Sequence, residues 1–169
     1  MSERSVALLR GINVGTSKRI AMAALRELFE SLGATNVRSY LQSGNLVFDG
    51  AVAAEQIEKA VAAEFEVAPR VIVLTAAQFE WAAQNPLRAI ATDPSRLFVV
   101  FMDAVPASLE PPPDIAPDVV VIGEHAVYQW MPGGFSTTNI PPKFGKSLGP
   151  TATARNQRTV DALLGMLDA

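Results

Sequence analysis

The sequence has no cysteine and one histidine, His125, among its 169 residues. The missing thiols exclude disulfides, thiolate metal sites, iron–sulfur clusters and cysteine nucleophiles together. A lone histidine excludes His-rich metal sites and the HExxH pattern. Any metal would need oxygen ligands, and the carboxylates form neither an EF-hand nor a D-x-D pattern. No tightly bound transition metal is therefore expected, and no residue is assigned to metal. Charge is also scarce: 18% of residues are charged, below the usual quarter. The net charge of −3 argues against a surface that is basic all over, as a general polyanion binder would need. Long hydrophobic runs are missing too. Runs such as 97–102 and 119–122 fall far short of the roughly 20 residues that span a bilayer. The four apolar residues from Val6 to Leu9, closed by Arg10, are too short for a signal peptide. The reading is cytoplasmic, with no membrane partner.

Hydrophobic residues are plentiful at 49%, yet 26 of them are alanine, so the core is less greasy than that figure suggests. The length suits one domain or two small packed halves. Residues 5–9 read as a strand. In 21–32, Met22, Leu25, Leu28, Phe29 and Leu32 recur at helical spacing before Gly33. Residues 36–41 and 46–48 read as a hairpin across Gln42-Ser43-Gly44-Asn45. A second helix follows at 53–65, with Ile57, Val61 and Phe65 on one face, then a strand at 71–74. This β-α-β-β-α-β order is the ferredoxin-like pattern. A connecting helix at 75–84, capped by Thr75, leads to a strand at 96–102. Five of the twelve prolines fall in 104–117, which predicts irregular chain there. A hairpin at 119–122 and 126–131 spans Gly123-Glu124-His125. A helix from Pro141 towards Leu148, a strand at 151–154 and a helix at 156–167 complete the second half. The fold class is thus α+β, two tandem ferredoxin-like halves packed as one unit with a C-terminal helix. The division falls at 1–75, 76–95 and 96–169.

Several segments resemble the domain-of-unknown-function 1697 family. Ala7-Leu8-Leu9-Arg10-Gly11-Ile12-Asn13-Val14-Gly15 is similar to its opening signature. Met22, Leu25, Leu32 and Gly33 match the helix that follows, and Gln42-Ser43-Gly44-Asn45-Leu46-Val47-Phe48 matches its Q-S-G-N strand. Near the end, residues 153–159 resemble its T-x-R-N-W-N-T segment, with Gln157 and Arg158 departing from it; Thr16 and Ala21 depart earlier. The resemblance implies two ferredoxin-like halves and a largely bacterial family. It implies no activity, and no cofactor is assigned.

Strand order in such a unit is 4-1-3-2, which puts the loop leaving strand one beside the turn joining strands two and three. Arg10, Gly11, Asn13, Gly15, Ser17, Lys18, Arg19, Gln42, Ser43 and Asn45 are expected on one rim. No carboxylate lies between residues 4 and 26, and the glycines leave N–H groups open. That is the footprint of a small anionic or polar ligand, a nucleotide or another phosphate compound among them. Glycines serving turns and asparagines satisfying local backbone would give the same residues. The spacing matches neither GxxxxGK[ST] nor GxGxxG. The same argument gathers Ser136, Thr137, Thr138, Asn139, Arg155, Asn156 and Arg158 in the second half, where helix capping by Asn139 and by Thr153 or Asn156 competes with ligand binding. His125 is expected exposed in its turn, and Trp81 and Trp130 in the core or half-buried. Phe98 and Phe101 lie on a strand buried on both faces, so base stacking on the sheet is not favoured. No paired acid and base can be named, so no catalytic residue and no reaction is assigned. The other reading is a non-catalytic module binding nucleic acid or protein. Oligomeric state is not legible.

Overall fold

The computed structural model describes residues 3–16 and 18–169. A run of β-branched and large apolar residues makes the first strand, β1 (Arg4–Arg10), and helical spacing makes α1 (Met22–Ser31). α1 buries Leu25, Leu28 and Phe29. Gly33, at φ +104°, ends it. The Gly33 N–H bonds to the Glu30 carbonyl at 3.0 Å and the Ala34 N–H to the Phe29 carbonyl at 3.1 Å, satisfying two carbonyls the helix leaves open. β2 (Thr35–Tyr40), β3 (Asn45–Asp49), α2 (Ala54–Phe65) and β4 (Arg70–Thr75) follow. This sheet runs β2-β3-β1-β4 with every neighbour antiparallel. The outer strand β2 breaks register between Thr35 and Arg38, where Asn36 sits at φ +52°.

α3 (Ala76–Ala82) starts on a reciprocal cap. Thr75 Oγ1 accepts from the Gln78 N–H at 3.1 Å, and Gln78 Oε1 accepts from the Thr75 N–H at 2.9 Å. Then come β5 (Leu97–Phe101), β6 (Val119–Ile122), β7 (Val127–Trp130), α4 (Pro142–Ser147), β8 (Thr153–Asn156) and α5 (Gln157–Asp168). The second sheet runs β6-β7-β5-β8, again all antiparallel. Residues 102–118 hold no helix and no strand, because proline removes backbone donors and blocks helical turns. The last strand lies two residues later than the expected 151–154. The architecture is α+β, with two four-stranded antiparallel sheets and five α-helices among the described residues.

The chain forms two compact units, Met1–Phe79 with Ala162–Ala169, and Glu80–Asp161. In the first, Ala7, Leu9, Leu46 and Phe48 pack against Leu25, Phe29, Ile57 and Val61. Phe29 and Phe48 meet edge to face at 5.5 Å. The alternate residues Val6, Leu8, Val47 and Ile72 are buried as well. A sheet covered on both faces reads as a continuous apolar run, as β1 does. Arg4 donates to Asp49 at 2.9 Å and to the Leu167 carbonyl at 3.1 Å, and Arg38 donates to the Met166 carbonyl at 2.8 Å. In the second unit Val100, Met102, Val120 and Val127 pack with Phe144 and Leu148.

Candidate functional site

The loop leaving β1 and the β2–β3 turn meet at one end of the first sheet, and one side chain fastens them. Asn13, at φ +52°, donates through Nδ2 to the Ile20 carbonyl at 3.1 Å and to the Gln42 carbonyl at 2.9 Å. Its Oδ1 accepts from the Ile20 N–H at 2.7 Å. The Leu9 N–H bonds to the Gly44 carbonyl at 2.9 Å. Gly44, at φ +94°, lies so close that a Cβ there would sit 2.9 Å from Leu9 Cβ and Ile12 Cδ1. The backbone therefore needs glycine at this crossing. Gly11 (φ +89°) and Gly15 (φ +53°) have open space where a side chain would be.

These contacts redistribute roles among the residues expected at the rim. Asn13 is spent on backbone. Asn45 is fully buried, and its Nδ2 donates to the Tyr40 carbonyl at 2.8 Å and to Ser43 Oγ at 3.0 Å, so it faces the turn's interior rather than solvent. Lys18 is bound to Glu66 at 2.9 Å, a carboxylate outside the segment that looked free of them. That ammonium holds the exposed Glu66 carboxyl below the usual range. Arg19 donates to the Asn13 carbonyl at 2.5 Å and is exposed. Arg10, Gln42 and Ser43 lie at the surface of the rim. Ser17 lies outside the described residues.

A cation that the sequence reading missed joins them. In the β1–β4 pair, Arg10 stands directly opposite Arg70. Opposed residues of an antiparallel pair project from the same face with Cβ atoms about 4.5–5.5 Å apart, and like charges there repel. Both arginines are exposed. Only the register between strands sixty residues apart could have found this pair. The N-terminus of α1 also opens at this end: Ala21 supplies no side-chain cap, and the first turn holds no acidic residue. Its first N–H groups and the positive end of the helix dipole remain for a negative group. Arg10 and Arg70 share the sheet face of Val6, Leu8 and Ile72, the face away from α1, so the arginine pair and these amides are two separate anion-favouring features at one end of the sheet. No group among the described residues has three or more His, Cys, Asp or Glu side chains placed to hold a metal ion.

The second cluster is bound up with folding. Trp130 pairs with Leu97 and Asn156 with Phe98, so the loop after β7 and the end of β8 share one end of their sheet. Asn156 Oδ1 accepts from the Thr159 N–H at 3.0 Å, capping α5. Asn139 does not cap α4. Its N–H binds Asp118 Oδ2 at 2.9 Å and its Nδ2 the Ala116 carbonyl at 2.9 Å, while Thr138 Oγ1 donates to the same Asp118 oxygen at 2.6 Å. The buried Asp118 is thus the organiser of this loop, and no local pattern of residues points to it. The half-buried Arg155 guanidinium is pushed down to about 10 by desolvation, and it stays charged at neutral pH. Ser136 is exposed. Phe98 and Phe101 are buried. His125 is exposed in its turn and stacks at 5.6 Å on Trp81, which is 52% exposed rather than in the core. The buried residues of that segment are Phe79, Ala82 and Ala83, and Trp81 falls between them on the outer side of α3.

No curated protein matches the chain. A solved structure described as that of the conserved bacterial protein SP0830 from Streptococcus pneumoniae is similar over 100% of both chains, with a TM-score of 0.72 and 25% identity. The model of a family described as "Protein of unknown function (DUF1697)" matches residues 2–128, the segment that contains β1, the whole rim, Arg70 and the proline-rich connection, and by that match the chain belongs to the DUF1697 family.

Proposed function

We propose that the protein binds a small anionic ligand, a phosphate-bearing compound or nucleotide among the candidates, at the rim made by the 10–19 loop, the 42–45 turn and the start of β4. The observation that carries this reading is the face-to-face placement of Arg10 and Arg70. Two guanidinium groups held on neighbouring strands oppose folding slightly and favour an anion that bridges them. The Asn13 bonds support it, since a loop fixed before binding loses less entropy on binding. We read residues 1–75 and 96–169 as a tandem of ferredoxin-like halves, a reading supported by the matching strand orders, although the last eight residues group with the first unit. The cytoplasmic location is carried forward on the same footing, and no helix is long and apolar enough to cross a membrane among the described residues.

Calorimetric titration with inorganic phosphate, pyrophosphate and nucleoside monophosphates tests the site. Wild type is expected to bind at least one of them. Arg10→Ala and Arg70→Ala should each weaken that binding about ten- to a hundredfold, the loss of one charge-assisted contact. Arg155→Ala should leave it unchanged. No binding by wild type, or equal binding by the Arg10→Ala/Arg70→Ala double variant, overturns the reading. The second reading, a non-catalytic protein- or nucleic-acid-binding module, draws support from Phe135, which is 65% exposed with its ring 4.9 Å from Phe98. A continuous basic stripe and steep salt dependence would mark the nucleic-acid version.

A further inference from the structure

Two apolar side chains stand in water at the same rim. Val14 and Leu41 are each 56% exposed. Their chain neighbours, Asn13 and Gln42, are joined by the 2.9 Å bond that ties the loop to the turn, so the two exposed residues flank that bond. Leu41 breaks two local rules at once. Its backbone is left-handed, at φ +57°, where a bulky side chain is strained and asparagine or glycine is at ease. Its side chain then gains little burial in return. A residue that is poor for the fold on both counts, on the turn that Asn13 ties to the loop carrying Arg10 and Arg19, is placed for a contact outside the fold.

Resting on the anion reading above, we infer that the ligand is amphiphilic: an anionic head, phosphate or carboxylate, on an alkyl or aryl arm. The head lies at Arg10 and Arg70, and the arm runs back from Arg10 across the end of β3 to Val14 and Leu41. The positive charge beside the apolar patch selects this occupant over a neutral hydrophobe. The arm adds affinity through apolar area removed from water, which the head alone cannot supply. No bond is made or broken in this proposal.

The test compares inorganic phosphate with hexyl phosphate, measured by titration calorimetry on wild type, Leu41→Asn and Val14→Ser. Hexyl phosphate should bind wild type about tenfold more tightly than inorganic phosphate, roughly two methylenes' worth of burial. In Leu41→Asn that advantage should fall to about threefold or less, while inorganic phosphate binds as before. The melting temperature of Leu41→Asn should hold or rise, because asparagine tolerates the left-handed backbone. That separates a lost contact from a damaged fold. An undiminished hexyl advantage in both variants overturns the amphiphile and leaves the anion site standing. Binding of neither phosphate by wild type overturns the anion site and this inference with it. A wild-type dimer in light scattering that Leu41→Asn dissociates also overturns the inference, since the patch is then a contact between copies.

Discussion

The two units place different residues at the same point of the same strand order. In the first, the last residue of β1 faces the first residue of β4, and they are Arg10 and Arg70. In the second, the last residue of β5 faces the first of β8, and they are Phe101 and Thr153. Phe101 and Thr153 are buried, and the Thr153 hydroxyl donates to the Thr151 carbonyl at 2.9 Å. The second unit thus shows what the sheet needs at that corner: apolar bulk and a satisfied hydroxyl. The first unit keeps two exposed cations on neighbouring strands. The rim's charge is therefore a property of one unit and no requirement of the strand order. The loops differ in the same spirit. A neutral amide, Asn13, fastens one, and a buried carboxylate, Asp118, fastens the other.

The largest expected effect sharpens the contrast between fasteners. Asp118→Ala removes a charged acceptor from the Thr138 hydroxyl and the Asn139 N–H, at a cost of about 1.5–3 kcal/mol. Urea unfolding should show it, and an unchanged midpoint would mean the loop is held by its backbone alone. A smaller effect, of opposite sign, tests the corner itself. Arg70→Thr copies the residue found in the second unit and relieves like-charge repulsion, so it should stabilise the protein by about 0.2–1 kcal/mol. Destabilisation by this substitution would show that the arginine pair supports the fold, and the comparison would fail.

The smallest effect concerns pH. The hydrogen bond from Arg4 holds the Asp49 carboxyl below its ordinary value near 3.8. A folded value below the unfolded one means that stability is present above about pH 3.8 and is lost as pH falls through the depressed folded value. Arg4→Ala should flatten that acid limb of the first unit and leave the curve above pH 5 with the same slope. A limb as steep as in wild type would assign acid sensitivity elsewhere.

Much of this was legible in the sequence because it is local. Leu25, Leu28 and Phe29 recur at helical spacing, Gly33 ends the run, and Ser43-Gly44 turns the chain, so α1 and the β2–β3 hairpin stand where their residues place them. Strand order followed from element order, and it brought the 10–19 loop to the 42–45 turn. What stayed hidden depends on register and long-range pairing. Arg70 faces Arg10, Glu66 neutralises Lys18, and Asp118 reaches Thr138 and Asn139, each across twenty or more residues. Trp81 was misplaced for another reason. Aromatic bulk suggests burial, yet α3 turns Phe79 and Ala82 inward, and Trp81 between them faces out.

The register break in β2 bears on how the protein behaves at high concentration. β2 is an outer strand, and an outer strand can recruit a second chain through its unpaired row of backbone groups. Here the ladder is interrupted at Asn36, whose left-handed backbone twists the strand out of line, and Arg38 puts a charge on it. A regular, uncharged β2 would offer a flat template for sheet-to-sheet growth. The bulge and the charge close that route to aggregation, and straightening β2 by replacing Asn36 with a β-branched residue would reopen it.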